Sequence, residues 1–502
     1  MTAPVSAVAP TRARLRLLLV ALALALLLSE LDQTVFATAL PTVVGELDGV
    51  GDMLWVNTAY VLAGTVTMPL YGRLSDLIGR RPLLLAGLLV FLAGSVVGGL
   101  APSMAVLITA RTVQGLGAGG MIILVQAVVA DAVPARERAA YLSAVAAVFA
   151  VAAVLGPVLG GWLTEGPGWR WAFWVNLPVG GLALVAVAVL LHEPPRNRAR
   201  LRPDVAGFGL LTLAVTAVVL LASWAGTRFA WGSPAVLGLA VVAVLATAAF
   251  VAVERRAAEP VLPLSLFADR TFRAAVLAGL AMAVAMFGTV GYLPTYLQMV
   301  TGLGPTAAGL AMLSLVAGIG LCTVGSARLV RRTGRYRTLT LLGSVLTAVA
   351  LALLATLTPA TPLPLTAGYL FGLGAGIGCA WEVLVVVVQN SSPPSLVGTA
   401  TAANSFLREI GVCLGSAVVG AAFTSRLARA LPVTPEDLTP ERVRLLPPEA
   451  RAGVATAYND ALTPVFGWLV PVMLLAVLAL VALREVPLRS ILATMEEPAE
   501  ER

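Results

Sequence analysis

Residues 17–40 read LLLVALALALLLSELDQTVFATAL, an almost unbroken apolar run that contains two carboxylates, Glu30 and Asp32. About 20 apolar residues cross roughly 30 Å of hydrocarbon as a helix, and such runs recur along nearly the whole chain. Arginines precede this run as they would precede a signal peptide, but its length and its acids indicate a retained span. The pattern predicts an all-α integral membrane protein.

The composition supports the same class, because 59% of the 502 residues are hydrophobic and only 12% are charged. Soluble domains rarely have this balance, and a closed barrel would give short alternating strands. The three cysteines lie in apolar runs and His192 is the single histidine, so we expect no disulfide framework and no metal site. The net charge of +7 is spread over short loops, which excludes a nucleic-acid-binding face.

Loop signals and charges divide the chain into fourteen predicted spans, namely 17–40, 53–73, 82–101, 104–128, 140–163, 171–191, 205–225, 234–253, 272–298, 306–327, 338–357, 363–390, 400–424 and 464–483. Arginines collect in the short loops on one side, whereas the short loops on the other side contain only Arg170 and Arg228. Basic residues are typical of short cytoplasmic loops. Both termini are therefore predicted to be cytoplasmic.

The spans group into two halves around a linker. Residues 1–192 are predicted to form an N-terminal six-helix bundle, and residues 264–484 a C-terminal one. The linker 193–263 contains two extra spans that we expect to face lipid. Within the C-terminal half, the external loop 425–463 is rich in proline and charge, and it is either a cap over the outer mouth or a tolerated insertion. The cytoplasmic tail comprises 485–502.

A weak internal repeat relates the two halves. Gly72-Arg-Leu-Ser-Asp-Leu-Ile-Gly-Arg80 follows the second span, and Ala327-Arg-Leu-Val-Arg-Arg-Thr-Gly-Arg335 follows the tenth. Duplicated halves are a transporter architecture with the substrate path at their interface. The first copy combines glycines, one acid and arginines, a composition suited to a tight turn with a charge lock between helices. In the second copy Arg331 replaces the acid, so we expect the C-terminal half to gate less strongly.

Four motifs in order make the chain resemble the major facilitator superfamily and, within it, the fourteen-span drug:proton antiporter branch. They are Leu31–Pro41 in span one, Gly72–Arg81 after span two, Arg111–Gly117 in span four and Gly156–Gly161 in span five. The resemblance implies the major facilitator fold, with two six-helix bundles, two linker helices and alternating access. It also implies that antiport, rather than symport, drives transport.

Asp32 and Arg111 are the predicted proton-coupling residues of the N-terminal half. A charged carboxylate is expensive inside an apolar helix, and one that alternates between dry and wet surroundings can load and release a proton. A static ion pair is the alternative interpretation. At 1.5 Å per residue Arg111 lies at the same depth as Asp32, and Gln114 and Gly115 share its helix face. The resemblance implies that this face lines the substrate path and that Arg111 assists proton transfer.

Two further motifs receive their roles from the resemblance. A cytoplasmic gate, which would stabilise the outward-facing state, comprises Gly72, Asp76, Gly79, Arg80, Arg81 and Asp131. The antiporter motif comprises Gly156, Pro157, Gly160 and Gly161. Its residues remove side chains and one backbone donor, which favours close helix contact and a bend.

In the C-terminal half, Glu382 follows Trp381 in span twelve and Glu409 follows Arg408 in span thirteen. Consecutive helical residues point about 100° apart, so Arg408 and Glu409 need separate partners. One acid is predicted to neutralise Arg408, leaving the other for substrate or a second proton. We prefer Glu382 for that role because Trp381 can help to hold a cation.

These residues predict a bacterial plasma-membrane exporter of lipophilic, often cationic compounds in exchange for protons. No nucleotide-binding loop or nucleophile constellation is present, so neither an enzyme nor a cofactor is expected, and the proton gradient supplies the energy. Expected partners are small lipophilic substrates, protons and membrane lipids, with a monomeric chain and no nucleic acid. A dedicated exporter of one metabolite, antibiotic or lipid, an importer, and a non-transporting sensor are the alternatives.

Overall fold

The computed structural model describes residues 12–47, 52–192, 204–226, 228–257, 259–431, 442–443, 445–483, 485 and 488. Within these ranges the chain is helical, and its one extended pairing is an isolated bridge between Ala225 and Phe229. The all-α prediction is confirmed for this part of the chain.

The N-terminal half contains α1 (Arg12–Glu46), α2 (Met53–Ile78), α3 (Arg80–Gly99), α4 (Met104–Ala132), α5 (Ala135–Glu165), α6 (Trp171–Trp174) and α7 (Asn176–Leu190). Two helices follow outside the halves, α8 (Val205–Trp224) and α9 (Pro234–Glu254). The C-terminal half contains α10 (Arg270–Val290), α11 (Leu293–Val300), α12 (Pro305–Thr333), α13 (Arg337–Leu354), α14 (Leu363–Ser391), α15 (Val397–Ala430) and α16 (Pro448–Val481). Short 3-10 helices precede α10 and α15, at Leu264–Ala268 and Pro394–Leu396.

Among the described residues, 12 helical segments are long and apolar enough to cross a membrane by length and composition. The chain is therefore a multi-pass membrane protein, but this number differs from the fourteen predicted spans. The difference lies in α2 and α5, helices of 26 and 31 residues that coincide with predicted spans two and five. In α2, Asn57, Thr58 and Arg73 interrupt the apolar side chains and lower the hydropathy.

Both of these helices lie at the interface between the halves. In the N-terminal half α1 packs on α5 and α7, and α4 packs on α2 and α3. In the C-terminal half α10 packs on α15 and α16, and α14 packs on α12 and α13. The halves meet where α2 packs on α15 and where α5 packs on α12. Parts of α2 and α5 thus contact protein rather than lipid.

The repeat is visible in how α2 and α12 end. Both terminate at a glycine with positive φ, 102° at Gly79 and 70° at Gly334. These glycines occupy equivalent positions of the two sequence copies, and only glycine adopts such angles without steric cost. The shared glycine therefore ends the helix in both halves, although the two turns differ, with ψ of 161° at Gly79 and 0° at Gly334.

The two extra helices differ in their surroundings. On α9 the apolar Val244 and Leu245 are 68% and 63% exposed, as expected of a helix that faces lipid. By contrast, α8 packs on α9 and also on α2 and α15, one helix from each half. Trp224 at its end contacts Trp55 of α2, with ring centroids 5.8 Å apart. The prediction that both helices only face lipid therefore does not hold for α8, which bridges the halves.

The predicted loop 425–463 is largely helical where it is described, because α15 continues to Ala430 and α16 begins at Pro448. Arg426 Nε donates to the Ala461 carbonyl oxygen at 3.2 Å, and Tyr296 Oη donates to Asn459 Oδ1 at 2.8 Å. These bonds fasten the two helical extensions to each other and to α11. Of the predicted tail 485–502, only residues 485 and 488 lie within the described ranges.

Candidate functional site

A buried charged network surrounds Asp32 of α1, which is only 3% exposed. Arg111 of α4 forms an ion pair with Asp32 Oδ2. Asp32 Oδ1 accepts two amide hydrogen bonds, one from Asn176 Nδ2 at 2.8 Å and one from Gln114 Nε2 at 3.1 Å. Both carboxylate oxygens are thus engaged by side chains of α4 and α7.

The Arg111 guanidinium lies between two aromatic rings. Its central carbon is 4.3 Å from the centroid of the Tyr60 ring and 5.0 Å from that of Phe36. Arg111 Nη1 donates to Gln114 Oε1 at 3.0 Å. Cation–π contacts of this kind gain strength when water is excluded. The guanidinium is therefore stabilised in a dry pocket whose main counter-ion is Asp32.

The predicted substrate-path residues Gln114 and Gly115 lie inside this packing. Gln114 is fully buried, and its Nε2 also donates to Ser95 Oγ of α3 at 2.9 Å. A Cβ at Gly115 would overlap the Tyr60 carbonyl oxygen, so glycine permits the close approach of α2 that brings Tyr60 onto Arg111. In this conformation the two residues support the ionic network rather than line an open path.

Asn176 and Ser95 also belong to the network, although neither lies in one of the four sequence motifs. Asn176 is the first residue of α7, directly after the break between α6 and α7, and its Nδ2 also donates to Ser95 Oγ at 3.2 Å. The available signal for Asn176 was a polar residue in an apolar run, two positions before Pro178. The run itself does not reveal which helix face turns inward.

The antiporter motif contacts α1 close to Asp32. A Cβ at Gly156 would overlap Thr34 Oγ1, and this hydroxyl donates to the Ala152 carbonyl oxygen at 3.1 Å. Gly160 is buried, whereas a Cβ at Gly161 would meet no atom within 4 Å. The backbone of α5 remains helical through Pro157. The close helix contact expected of the motif therefore rests on Gly156.

Asp76 connects the two halves at the end of the molecule that carries the α2–α3 turn. Its carboxylate accepts hydrogen bonds from the Gly398 and Thr399 backbone N–H groups at 3.0 and 2.7 Å, and from Thr399 Oγ1 at 2.7 Å. These donors form the N-terminus of α15, where unpaired amides and the helix dipole favour an anion. The predicted charge lock thus includes a helix terminus of the opposite half.

The other predicted gate residues divide into two groups. Arg80 is fully buried and links Asp76 to Asp131, with N–O distances of 2.8 and 3.1 Å. A Cβ at Gly72 would overlap Ala402 Cβ, so glycine allows α2 to cross α15 closely. Arg81 instead donates to the Ala188 carbonyl oxygen of α7 at 2.7 Å. It ties α3 to its own half, and this bond does not reach the interface between the halves.

The C-terminal half holds its charges in a looser arrangement. The Arg408 guanidinium carbon lies 3.4 Å from the centroid of the Trp381 ring. Among the described residues no carboxylate oxygen is within salt-bridge distance of Arg408. Glu382 is 5% exposed with its Oε2 unbonded, whereas Glu409 is only half-buried. Because Arg408 already occupies the face of Trp381, that ring is less available to a substrate cation than the sequence suggested.

At the opposite end of the molecule, Glu46 joins the end of α1 to the loop before α6. Trp169 Nε1 donates to Glu46 Oε2 at 2.7 Å, and the Arg170 guanidinium donates to Oε1 at 2.5 Å. The hydrogen bonds from Arg170 and Trp169 hold the pKa of Glu46 below its usual range. This side chain is about half exposed, so solvent screens the interaction.

Because the pKa of Glu46 is lower in the folded state than in the unfolded state, where it is about 4.3, its ionised form adds to the free energy of unfolding at pH values above about 4.3. This contribution is lost as the pH falls below about 4.3 and through the folded-state pKa. We therefore expect the melting temperature of detergent-solubilised protein to fall slightly less between about pH 6 and about pH 3 in Glu46→Gln than in the wild type. Glu165→Gln, which replaces an exposed acid, serves as the control. An unchanged pH dependence in Glu46→Gln contradicts the assignment.

The sequence is similar to known proteins over most of its length. Residues 22–416 match the sequence profile described as the Major Facilitator Superfamily. An uncharacterized MFS-type transporter of Mycobacterium tuberculosis is 39% identical over 93% of this chain and 69% of its own length. The multidrug transporter protein MdtP of Bacillus subtilis is 32% identical over 81% of this chain and 75% of its own length.

Two solved structures share the fold at low sequence identity. The human organic anion transporter MFSD10 aligns with a TM-score of 0.63 at 16% identity, covering 91% of this chain and 99% of that one. The proton:xylose symporter XylE aligns with a TM-score of 0.61 at 15% identity, covering 97% of this chain and 100% of that one. The profile match, the relatives and the paired helical halves agree: the chain belongs to the Major Facilitator Superfamily, whose members transport small molecules across membranes.

Proposed function

We propose that this protein is a secondary active transporter that exports lipophilic, often cationic compounds in exchange for protons. The observation that carries the proposal is the convergence of Arg111, Gln114 and Asn176 on the buried carboxylate of Asp32. Three helices, α1, α4 and α7, meet in this network. A movement that separates α1 from α4 would remove the counter-ion and favour protonation, which couples helix movement to proton loading.

The antiport cycle that we propose combines the contacts of Asp76 at one end of the molecule with the network around Asp32. We assign the α2–α3 turn and both termini to the cytoplasm, because arginines collect in the loops on that side. The bonds from Asp76 to α15 then hold the cytoplasmic side shut, which corresponds to an outward-facing state. Protonation of Asp32 from outside would weaken its network with Arg111 and permit the inward turn. Glu382 and Glu409 are the candidates for a second proton or for substrate.

We assign the chain to the fourteen-span branch of the family. At 1.5 Å per residue, α2 and α5 reach about 39 and 46 Å, enough to cross the bilayer. Each also connects neighbours that are themselves long and apolar. A plasma-membrane location, a monomeric state and the absence of any cofactor belong to the same proposal.

The names of relatives support efflux. They are compatible with either broad or narrow substrate specificity. MdtP of Bacillus subtilis is named a multidrug transporter, and at 33% identity over 82% of this chain a protein of Aspergillus aculeatus is named an acurin A biosynthesis cluster MFS-type transporter. The first favours broad specificity. The second favours the alternative, an exporter dedicated to one endogenous product.

Efflux from proteoliposomes tests the proposal. Vesicles loaded with ethidium are given an inward-directed pH gradient, and the loss of ethidium is followed by fluorescence. We expect gradient-dependent efflux that stops when a protonophore collapses the gradient, with protein-free vesicles as the control. Efflux that is indifferent to the gradient would contradict proton antiport. If none of a panel of lipophilic cations moves, broad specificity is wrong and the dedicated exporter gains support.

A further inference from the structure

The end of α12 carries an arginine cluster, which comprises Arg328, Arg331, Arg332 and Arg335. The first three lie three and four residues apart, so they share one face of the helix, and Arg335 follows the turn at Gly334. All four arginine side chains are exposed. Among the described residues, no carboxylate oxygen lies within salt-bridge distance of these guanidinium groups. The described part of the chain therefore leaves this positive surface without a counter-ion.

The charges of the first repeat copy are arranged differently. There Arg80 is fully buried and pairs with Asp76 and Asp131. In the second copy Arg335 stands at the position of Arg80, and Arg331 at the position of Asp76. The second copy thus has a cation where the first has the acid that balances its arginine. Like charges repel each other at short range, so an anion from outside the chain would stabilise this end of α12.

The face of α12 that carries the cluster is apolar one to two turns earlier. Leu321 is 67% exposed and Val324 is 39% exposed, as expected of a helix that borders lipid. They precede Arg328 by seven and four residues, which places them on its face of the helix. On the opposite face, Ser326 Oγ donates to the Gly378 carbonyl oxygen of α14 at 3.4 Å. The exposed face is therefore apolar within the span and cationic at its end.

A fifth arginine approaches from the other half. Arg136, in the first turn of α5, places its Nε 3.6 Å from where a Cβ of Gly334 would stand. Its side chain is exposed, and within the described ranges it has no salt bridge. Glu137 is the acid of that turn, and one negative charge does not balance five arginines. The contact of α5 with α12 is the counterpart of the contact of α2 with α15, which the Asp76 carboxylate joins.

We propose that the arginine cluster binds the phosphate of an anionic phospholipid of the cytoplasmic leaflet, whose acyl chains lie along the apolar face of α12. Guanidinium donors match phosphate oxygens in geometry, and basic residues at the cytoplasmic ends of spans attract anionic lipids. A phospholipid fits both parts of this surface, whereas a soluble anion or an acidic peptide fits only the charged part.

The bound lipid supplies between α5 and α12 the negative charge that Asp76 supplies between α2 and α15. It therefore stabilises the closed cytoplasmic side of the molecule. This inference rests on the proposed assignment of the α2–α3 turn to the cytoplasm, because α12 ends on the same side. It is independent of the transported compound and of the direction of transport.

Native mass spectrometry of the full-length protein tests the site directly. Dioleoylphosphatidylglycerol and the zwitterionic dioleoylphosphatidylcholine are titrated separately into protein in a neutral detergent, and the apparent Kd of the first bound lipid is measured. One arginine near the headgroup changes the affinity for an anionic lipid about fivefold. We therefore expect phosphatidylglycerol to bind at least about tenfold more tightly than phosphatidylcholine. Equal affinities overturn the proposal.

A matched pair of variants locates the binding. Arg331→Gln/Arg332→Gln should raise the Kd for phosphatidylglycerol at least about tenfold and leave that for phosphatidylcholine unchanged. Arg255→Gln/Arg256→Gln is the control, because it removes two consecutive exposed arginines at the end of α9, on the same side of the membrane. An equal loss in both variants would show diffuse attraction and overturn the site. If Arg331→Gln/Arg332→Gln does not fold, Arg328→Gln replaces it with an expected change of about fivefold.

Two other anions are distinguished in the same assay. Glycerol 3-phosphate in large excess should leave phosphatidylglycerol bound, and displacement would show that a soluble phosphate suffices and overturn the lipid assignment. The second anion is the acidic tail, which is neutralised in the variant Glu496→Gln/Glu497→Gln/Glu500→Gln/Glu501→Gln. Its affinity for phosphatidylglycerol should equal that of the wild type. A tenfold gain, about 1.4 kcal/mol, would show that the tail occupies the cluster and contradict the proposal.

Hydrogen exchange in nanodiscs measures the effect of the lipid on the gate. The Gly334 amide donates to the Val330 carbonyl oxygen at 2.8 Å. It should exchange at least about threefold more slowly in phosphatidylglycerol than in phosphatidylcholine, and the difference should vanish in Arg331→Gln/Arg332→Gln. Equal rates in the wild type contradict the stabilising role. Neither measurement involves transport, so selective lipid binding without gradient-driven efflux rejects only the export function, and efflux without selective binding rejects only this site.

Discussion

Replacing Asp32 by asparagine is expected to lower gradient-driven ethidium efflux at least about 100-fold, because a neutral amide cannot carry a proton through the cycle. The side chain keeps its size and can still accept a hydrogen bond from Asn176. The substitution nevertheless leaves Arg111 buried without its counter-ion, which costs roughly 3–5 kcal/mol when one partner of a buried pair is removed. The measurement is the initial efflux rate in proteoliposomes at equal protein content.

Two controls separate proton coupling from folding. Asp52→Asn changes an exposed acid just before α2 and should transport as the wild type does. The double variant Asp32→Asn/Arg111→Gln removes both charges, so its melting temperature should recover part of the loss while efflux remains absent. If Asp32→Asn folds and still couples efflux to the gradient, the proton site must be sought at Glu382 or Glu409. Asp32 would then be a static partner of Arg111.

Replacing Gly72 by alanine is expected to open the contact between α2 and α15. A Cβ there would overlap Ala402 Cβ and lie 2.9 Å from the Gly398 carbonyl oxygen. Overpacking costs typically about 1–3 kcal/mol, and about 1.4 kcal/mol is tenfold in an equilibrium constant. The equilibrium constant for closing the gate should therefore fall about tenfold. Efflux should fall similarly if the closed gate is required in every cycle.

Hydrogen exchange measures the gate itself. The Gly398 and Thr399 amides that bind Asp76 should exchange faster in Gly72→Ala than in the wild type, because separation of α2 from α15 releases them. Gly325→Ala in α12 is the matched control, since a Cβ there meets no atom within 4 Å. Unchanged amide exchange together with normal efflux in Gly72→Ala would show that α2 and α15 accommodate the added methyl group without destabilising the closed gate.

The pairing of Asp32 with Arg111 was predictable because both positions follow from a fixed rise per residue along two spans. The turn at Gly79 was also predictable from its motif, since few residues other than glycine adopt a positive φ. Asn176 was missed because one amide in an apolar run gives no information on its direction. The partner of Arg81 was missed for a related reason: its long side chain reaches α7 or the opposite half equally well.

By itself, the sequence determined the helical membrane class, the repeat and the family. These properties depend on local composition and spacing, because the bilayer requires each spanning segment to satisfy its backbone as a helix. Only the tertiary structure decided which charges are enclosed and which face open space. It buries Asp32 and Glu382, leaves Glu409 half-buried, stacks Arg408 on Trp381 and places α8 across the interface. Such outcomes depend on the rotation of each helix and on contacts between distant segments. An apolar run does not determine either of them, because lipid and protein neighbours are equally apolar.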